Sequence, residues 1–144
     1  MKARVIEHKL QFKRPAGTSR GVLNHRRVWY LVLEKEGRIG VGECAPLPGL
    51  SAETIPEVEQ VLAALAADPD GFCAQADQER MPSSVRFALE TALGDLEQAG
   101  TQILFPSGFT RGEKGIPING LIWMGEVSFM KEQVRQKLDS GWRC

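Results

Sequence analysis

Three stretches of this 144-residue sequence hold side chains whose type and spacing could do chemistry. The first is Lys13-Arg14-Pro15-Ala16-Gly17-Thr18-Ser19-Arg20. Its two guanidinium groups, its hydroxyls and its free backbone donors suit a ligand bearing a carboxylate, because arginine forks onto carboxylate oxygens. The same composition also describes an ordinary solvated loop built from turn formers. The second is Gly40-x-Gly42-x-x-Ala45, which has the outline of a dinucleotide fingerprint. That chemistry needs a helix N-terminus directly after the glycines to receive a pyrophosphate. Pro46 and Pro48 stand there instead, so the match is rejected. The third is the scatter of His8, His25, Cys44, Cys73 and Cys144. No two of these have metal-ligand spacing, and an odd number of distant cysteines points to a reduced, cytoplasmic setting. No catalytic residue and no metal ligand is assigned on this evidence.

The elements that must position the basic stretch belong to an α+β chain. A length of 144 residues suggests one domain and a core large enough to need no staples. The 42% hydrophobic and 25% charged fractions are those of a globular protein, not a disordered one. No apolar run is long enough to span a membrane, and charges interrupt the first twenty residues, which excludes a signal-peptide core. Net charge is zero but uneven: ten Lys/Arg against four Asp/Glu in residues 1–50, then two against ten in residues 51–100. With no basic motif of a nucleic-acid-binding fold, this reads as a basic sheet beside acidic helices, and no nucleic-acid or membrane partner is expected.

Ile6, His8, Leu10 and Phe12 alternate with polar residues as in a half-buried strand. Residues 14–21 read as a loop, Arg27 to Leu33 as a central strand covered on both faces, and Arg38 to Glu43 as a third strand after a Glu36-Gly37 turn. Together they make a three-stranded antiparallel meander. Thr54 and Glu57 form a capping box for a helix over 54–67, which should end before Asp68-Pro69-Asp70-Gly71. Val85, Ala88, Leu89, Ala92, Leu93 and Leu96 give a helical stripe over 83–99, closed by Gly100. Ile116 to Met124 then reads as a short buried strand. Glu126 to Ser140 reads as a helix with Val127, Met130, Val134 and Leu138 inward, and Trp142-Arg143-Cys144 as the start of a further strand. Meander and helices first, alternation afterwards: the last stretch is the opening of a βα array that stops early, so the polypeptide reads as truncated.

Several segments carry a family resemblance. Phe12 through Leu23 resembles the first loop of the capping domain in the enolase superfamily, and Gly40-x-Gly42-Glu43-Cys44-Ala45-Pro46-Leu47-Pro48-Gly49-Leu50-Ser51 resembles its second. Ser84 through Leu96 is similar to the helix that docks the cap on the barrel, and Ile118-Asn119-Gly120-Leu121-Ile122-Trp123-Met124-Gly125 to the first barrel strand of the o-succinylbenzoate synthase branch. The resemblance implies a capping domain over residues 1–112 and the first βα unit of an incomplete TIM-type barrel over 116–144. It implies a parent lyase of menaquinone biosynthesis. In that family a barrel lysine removes a proton α to a carboxylate, magnesium stabilises the enediolate, and water leaves. A dipeptide epimerase or N-acylamino-acid racemase of the same superfamily is the alternative enzyme, and an inert cap or small binding module the alternative that is not one.

In the resemblance the two cap loops meet the substrate. The matching positions are Thr18, Ser19 and Arg20 in the first loop, with Arg14 able to replace Arg20, and Leu47, Pro48 and Leu50 in the second. The implied partner is a small carboxylate. The implied cofactor, magnesium, has no ligands here, since the carboxylates beyond Ile118 (Glu126, Glu132 and Asp139) share one predicted helix. Only 27 residues follow Pro117, against the roughly 200 or more of a (β/α)8 barrel. The chain alone is therefore expected to be inactive. It is also expected to self-associate through the faces of Val85, Leu89, Leu93 and Leu96 and of Ile118 to Trp123.

Overall fold

The computed structural model describes residues 1–18, 21–75 and 80–142. Ser19, Arg20, Arg143 and Cys144 lie outside the described residues. Three strands, β1 (Lys2–Thr18), β2 (Gly21–Lys35) and β3 (Arg38–Cys44), form an antiparallel sheet in the order β1-β2-β3. The expected meander is therefore present. Glu36 and Gly37 join β2 to β3 with φ of 52° and 76°, the pair of left-handed residues that a two-residue hairpin turn requires.

The first loop is shorter than expected, because pairing resumes beyond the proline. Gln11 faces His25 and Ala16 faces Leu23, so residues 12–15 stand opposite Asn24 alone. Pro15 has no N–H to give to a ladder, which confines it to such a bulge. Gln11 Nε2 donates to the Asn24 carbonyl across the break at 3.2 Å. The last β2–β3 pair is Trp29 with Cys44, so residues 21–28 of β2 run on past β3 with β1 as their strand neighbour among the described residues. At strand rise this outer arm is about 25 Å long.

Helices α1 (Ile55–Ala67), α2 (Pro69–Gln75) and α3 (Ser83–Glu97) follow. The capping box is formed in both directions: Thr54 N–H donates to Glu57 at 2.7 Å and Glu57 N–H to Thr54 Oγ1 at 3.4 Å. Helix α2 was not expected. Asp68-Pro69-Asp70-Gly71 has turn composition, but Asp68 also caps a helix whose first residue is proline, accepting from Gly71 N–H at 3.0 Å. One core joins Trp29, Leu31 and Leu33 of β2 to Val58, Leu62 and Leu65 of α1 and to Val85, Ala88, Leu89 and Ala92 of α3. The α3 stripe is thus consumed by the cap's own sheet, contrary to the expectation that it awaits another domain. Coverage of the other face is partial rather than complete: Val28 is fully buried there, whereas Tyr30 and Val32 are half-buried.

The Gly40-x-Gly42 pair has a packing role. A Cβ on Gly42 would stand 1.9 Å from the Ala88 carbonyl oxygen, and one on Gly40 2.1 Å from that of Ala92. Two missing side chains in β3, facing two alanines in α3, let helix and strand backbones touch.

Glu53 supplies the cap that α3 lacks in its own sequence, accepting from Ser84 N–H at 3.0 Å and from Ser83 Oγ at 3.2 Å. Burial presses this carboxyl upward, but the hydrogen bonds from Ser84 and Ser83 outweigh it and hold it below the ordinary range. A carboxyl depressed in the folded state adds stability above its unfolded pKa, roughly 4.3, and loses it as pH falls through the lower folded value. Glu57, held down by the Thr54 backbone and hydroxyl, and Glu7, held down by Arg27, act in the same direction. The expected result is a melting temperature that drops on acidification below about pH 5, with a smaller drop in Glu53→Gln. An identical acid limb in wild type and variant would remove Glu53 from the account.

Beyond α3 the chain is less regular. Residues 116–124 run without strand pairing, and α4 (Val127–Asp139) has no buried residue. The expected buried strand is not formed, and Val127, Val134 and Leu138 are exposed, with Met130 half-buried. A barrel strand is a strand only by virtue of its neighbours, and the described residues provide none. Trp142 is not in a strand either. Among the described residues no helix is long and apolar enough to cross a membrane.

Candidate functional site

Two clefts flank the outer arm of the β1–β2 hairpin. The first, about 230 Å³, lies between residues Val22–Arg27 of β2 and the proline loop, with Pro46, Leu47, Pro48 and Ile55 as its other wall. The loop holds its own shape: Leu50 and Ser51 N–H groups donate to the Leu47 carbonyl at 3.0 and 2.9 Å, and Leu47 N–H donates to Ser51 Oγ at 3.0 Å. Gly49 takes φ 78° within this turn. Arg26 reaches across and donates from Nη2 to the Ala45 carbonyl. Its neighbour Arg27 is neutralised by Glu7 at 2.6 Å and Glu59 at 2.5 Å and stacks over Trp29 at 4.8 Å. The basic sheet does meet an acidic helix there.

The second cleft, about 610 Å³, is walled by Gln11, Phe12, Lys13, Arg14 and Ala16 of β1 and by Trp123, Phe129 and Gln133. That volume falls within the range of small-ligand sites. Two cations and three aromatic rings line it, and the Arg14 guanidinium lies 5.9 Å from the Phe129 ring centre. Gln133 of α4 holds the Trp123 backbone at both ends, accepting from its N–H at 2.8 Å and donating to its carbonyl at 2.9 Å. A Cβ on Gly17 would sit 3.8 Å from Met124, the residue at which the extended segment turns toward α4. The arm therefore lies against the turn that leads from residues 116–124 into α4.

The expected site residues divide accordingly. Leu47 and Pro48 come together with β2 in the first cleft. Leu50, 61% exposed, stands apart on the turn. Thr18 pairs with Gly21 at the hairpin end, and Ser19 and Arg20 lie outside the described residues. Arg14, the alternative to Arg20, lines the second cleft. Arg26 and Gln133 were not singled out from sequence, and nothing in their local spacing marks them. Each is defined by a backbone group far along the chain.

Among the described residues no three His, Cys, Asp or Glu side chains converge to hold a metal ion. The donors present do not fit magnesium, and no step through it is assigned to this chain. Cys44 and Cys73 are free thiols, both raised by burial.

A meander backed on one face by helices, with a further helix beyond its hairpin arm, has the fold of an enolase-superfamily capping domain. Within it, the chain belongs to the MenC N-terminal domain family, whose model matches residues 2–96. It is 40% identical, over 94% of its length, to an o-succinylbenzoate synthase from Desulfotalea psychrophila, covering 45% of that protein. A second such synthase, from Pectobacterium atrosepticum, is 43% identical over 46% of this chain and 20% of the relative. The chain thus spans less than half the length of the curated relatives it matches. The crystal structure of MenC from D. psychrophila superposes with a TM-score of 0.64 at 34% identity, covering 99% of this chain and 47% of that one. Two others share the fold at lower identity. An Agrobacterium tumefaciens enolase family member with homology to dipeptide epimerases has TM-score 0.64, 22% identity and 95% and 43% coverage. The Thermosynechococcus elongatus o-succinylbenzoate synthase complexed with magnesium has TM-score 0.57, 21% identity and 98% and 40% coverage.

Proposed function

We propose that this chain is the cap, residues 1–112, and the opening βα unit, 116–144, of a magnesium-dependent o-succinylbenzoate synthase, a lyase that removes water from a carboxylate substrate. The observation that carries the reading is the 40% identity to the D. psychrophila synthase over 94% of this chain, and the approach of the hairpin arm to Met124 is consistent with it. A dipeptide epimerase is favoured by no particular residue, since the neighbour of that description shares the fold alone.

The chain's own contribution is to bind and enclose. A cation on the first loop, Arg20 or Arg14, meets a substrate carboxylate beside the hydroxyls of Thr18 and Ser19. Leu47 and Pro48 offer an apolar wall that prolines order at low cost. Magnesium, when bound, stabilises the carbanion charge, and both its ligands and the lysine base come from outside these residues. The 144-residue chain alone is inactive.

The test is a chimera in which this chain replaces the aligned N-terminal part of the D. psychrophila synthase. In it, either Arg20→Ala or Arg14→Ala raises KM about tenfold with little change in kcat, because a uniformly bound carboxylate contributes equally to ground and transition states. If neither changes KM, the first loop does not hold substrate.

The chain alone self-associates. Among the described residues, thirteen of the eighteen exposed large hydrophobics lie between Ile103 and Trp142, including Phe105 at 81% and Leu121 at 65% exposure. Each forgoes roughly 1.5–3 kcal/mol of burial if left in water. Sedimentation should show dimers or larger species as concentration rises. A monomer at high concentration with Trp123 still solvated would contradict this.

A further inference from the structure

Where β3 ends, the proline loop loses its means of pairing. Trp29 with Cys44 is the last β2–β3 pair. Pro46 cannot donate, so the ladder stops and the Ala45 carbonyl would be left without a strand partner. The Arg26 guanidinium fills that place by donating to Ala45. Unlike Arg27, which two carboxylates hold, Arg26 makes no ion pair among the described residues, and its Nε is buried with no partner among them. Among the described residues its side-chain hydrogen bond goes to the loop. The Leu47–Ser51 turn is internally bonded, so whatever fixes Ala45 carries Leu47 and Pro48 with it.

We propose that Arg26 is a positioning residue: it locks the proline loop to the hairpin arm and sets the width of the cleft between Val22–Leu23 and Leu47–Pro48. The cleft width in turn sets the apolar wall offered to substrate, and this last step rests on the synthase reading above. A lysine reaches the same carbonyl with one ammonium donor and partly replaces the guanidinium.

Hydrogen exchange on the 144-residue chain tests the lock without reference to activity. In Arg26→Ala, exchange at the Leu47, Leu50 and Ser51 amides accelerates at least about tenfold while the α3 amides of Ala92 and Leu96 keep their rates. Arg26→Lys restores part of the protection. Unchanged loop exchange, or equal acceleration in loop and helix, overturns the proposal. In the chimera, Arg26→Ala raises KM about tenfold with kcat altered less than about twofold. A loosened loop with unchanged KM overturns the role toward substrate. If the unmodified chimera forms no o-succinylbenzoate, the synthase reading fails, and the exchange data still decide the lock.

Discussion

Gly42→Ala is expected to be the most damaging single methyl in this protein. The added Cβ would stand 1.9 Å from the Ala88 carbonyl oxygen and 2.7 Å from its carbon. Real Cβ atoms do not come that close, and the obstacle is helix backbone, which has no rotamer to yield. Helix α3 must move off the sheet, opening the core that Leu31 shares with Val85 and Leu89. Overpacking of a tight core costs about 3 kcal/mol at its upper range, which lowers the melting temperature by on the order of 10–20 °C for a cap of about 100 residues. Gly40→Ala, facing Ala92 and Leu96, behaves alike. Gly115→Ala is the control, since no atom lies within 4 Å of its Cβ position. If Gly42→Ala and Gly115→Ala unfold at the same urea concentration, α3 does not lie on β3 as described.

Removing the Asp95 carboxylate should have the next largest effect. Asp95 is 2% exposed, and its two oxygens accept from Val41 N–H at 3.0 Å and Gln102 N–H at 2.6 Å. The first of these donors belongs to β3 on its outer edge, where no strand pairs. The second belongs to the chain leaving α3. One side chain therefore closes a sheet edge and pins the connection toward residues 116–124. Asp95→Ala leaves both donors without an acceptor, and with each only partly buried the expected loss is about 2–3 kcal/mol. Asp95→Asn keeps one acceptor oxygen but turns an amide N–H toward the second donor, and should recover less than half of the loss. Urea unfolding of the three proteins measures this. An Asp95→Ala variant as stable as wild type would mean that water replaces the carboxylate and the edge is open.

What could be read in advance depended on how far apart the interacting residues lie. The Thr54–Glu57 box, the α3 stripe and the Glu36-Gly37 turn are written within a few residues, and each is in place. Beyond that range, sequence reading went wrong in physically explicable ways. Pro15 looked like a loop residue because it cannot pair, yet the partner strand passes it and the ladder resumes. Asp68-Pro69 carries turn and helix-start signals at once, and the packing of Phe72 and Cys73 against the core favours the helix. The Ile118–Trp123 segment has the apolar run of a buried strand, but nothing among the described residues can make it one. The Gly40-x-Gly42 spacing could be rejected as a phosphate loop from Pro46 alone. Its packing role became visible only with Ala88 and Ala92 laid across it. Of the candidate site, the proline loop was legible from its prolines, whereas Arg26 and Gln133 bind backbone groups 19 and 10 residues away.

The central claim, that this chain caps an o-succinylbenzoate synthase, is tested most directly by activity of the chimera with the D. psychrophila barrel. The measurement is magnesium-dependent formation of o-succinylbenzoate, followed by the absorbance of the new aromatic ring, with the 144-residue chain alone assayed beside it. The account predicts product from the folded chimera and none from the chain alone. A chimera that is folded and monodisperse yet forms no product, or product formed by the chain alone, would contradict it.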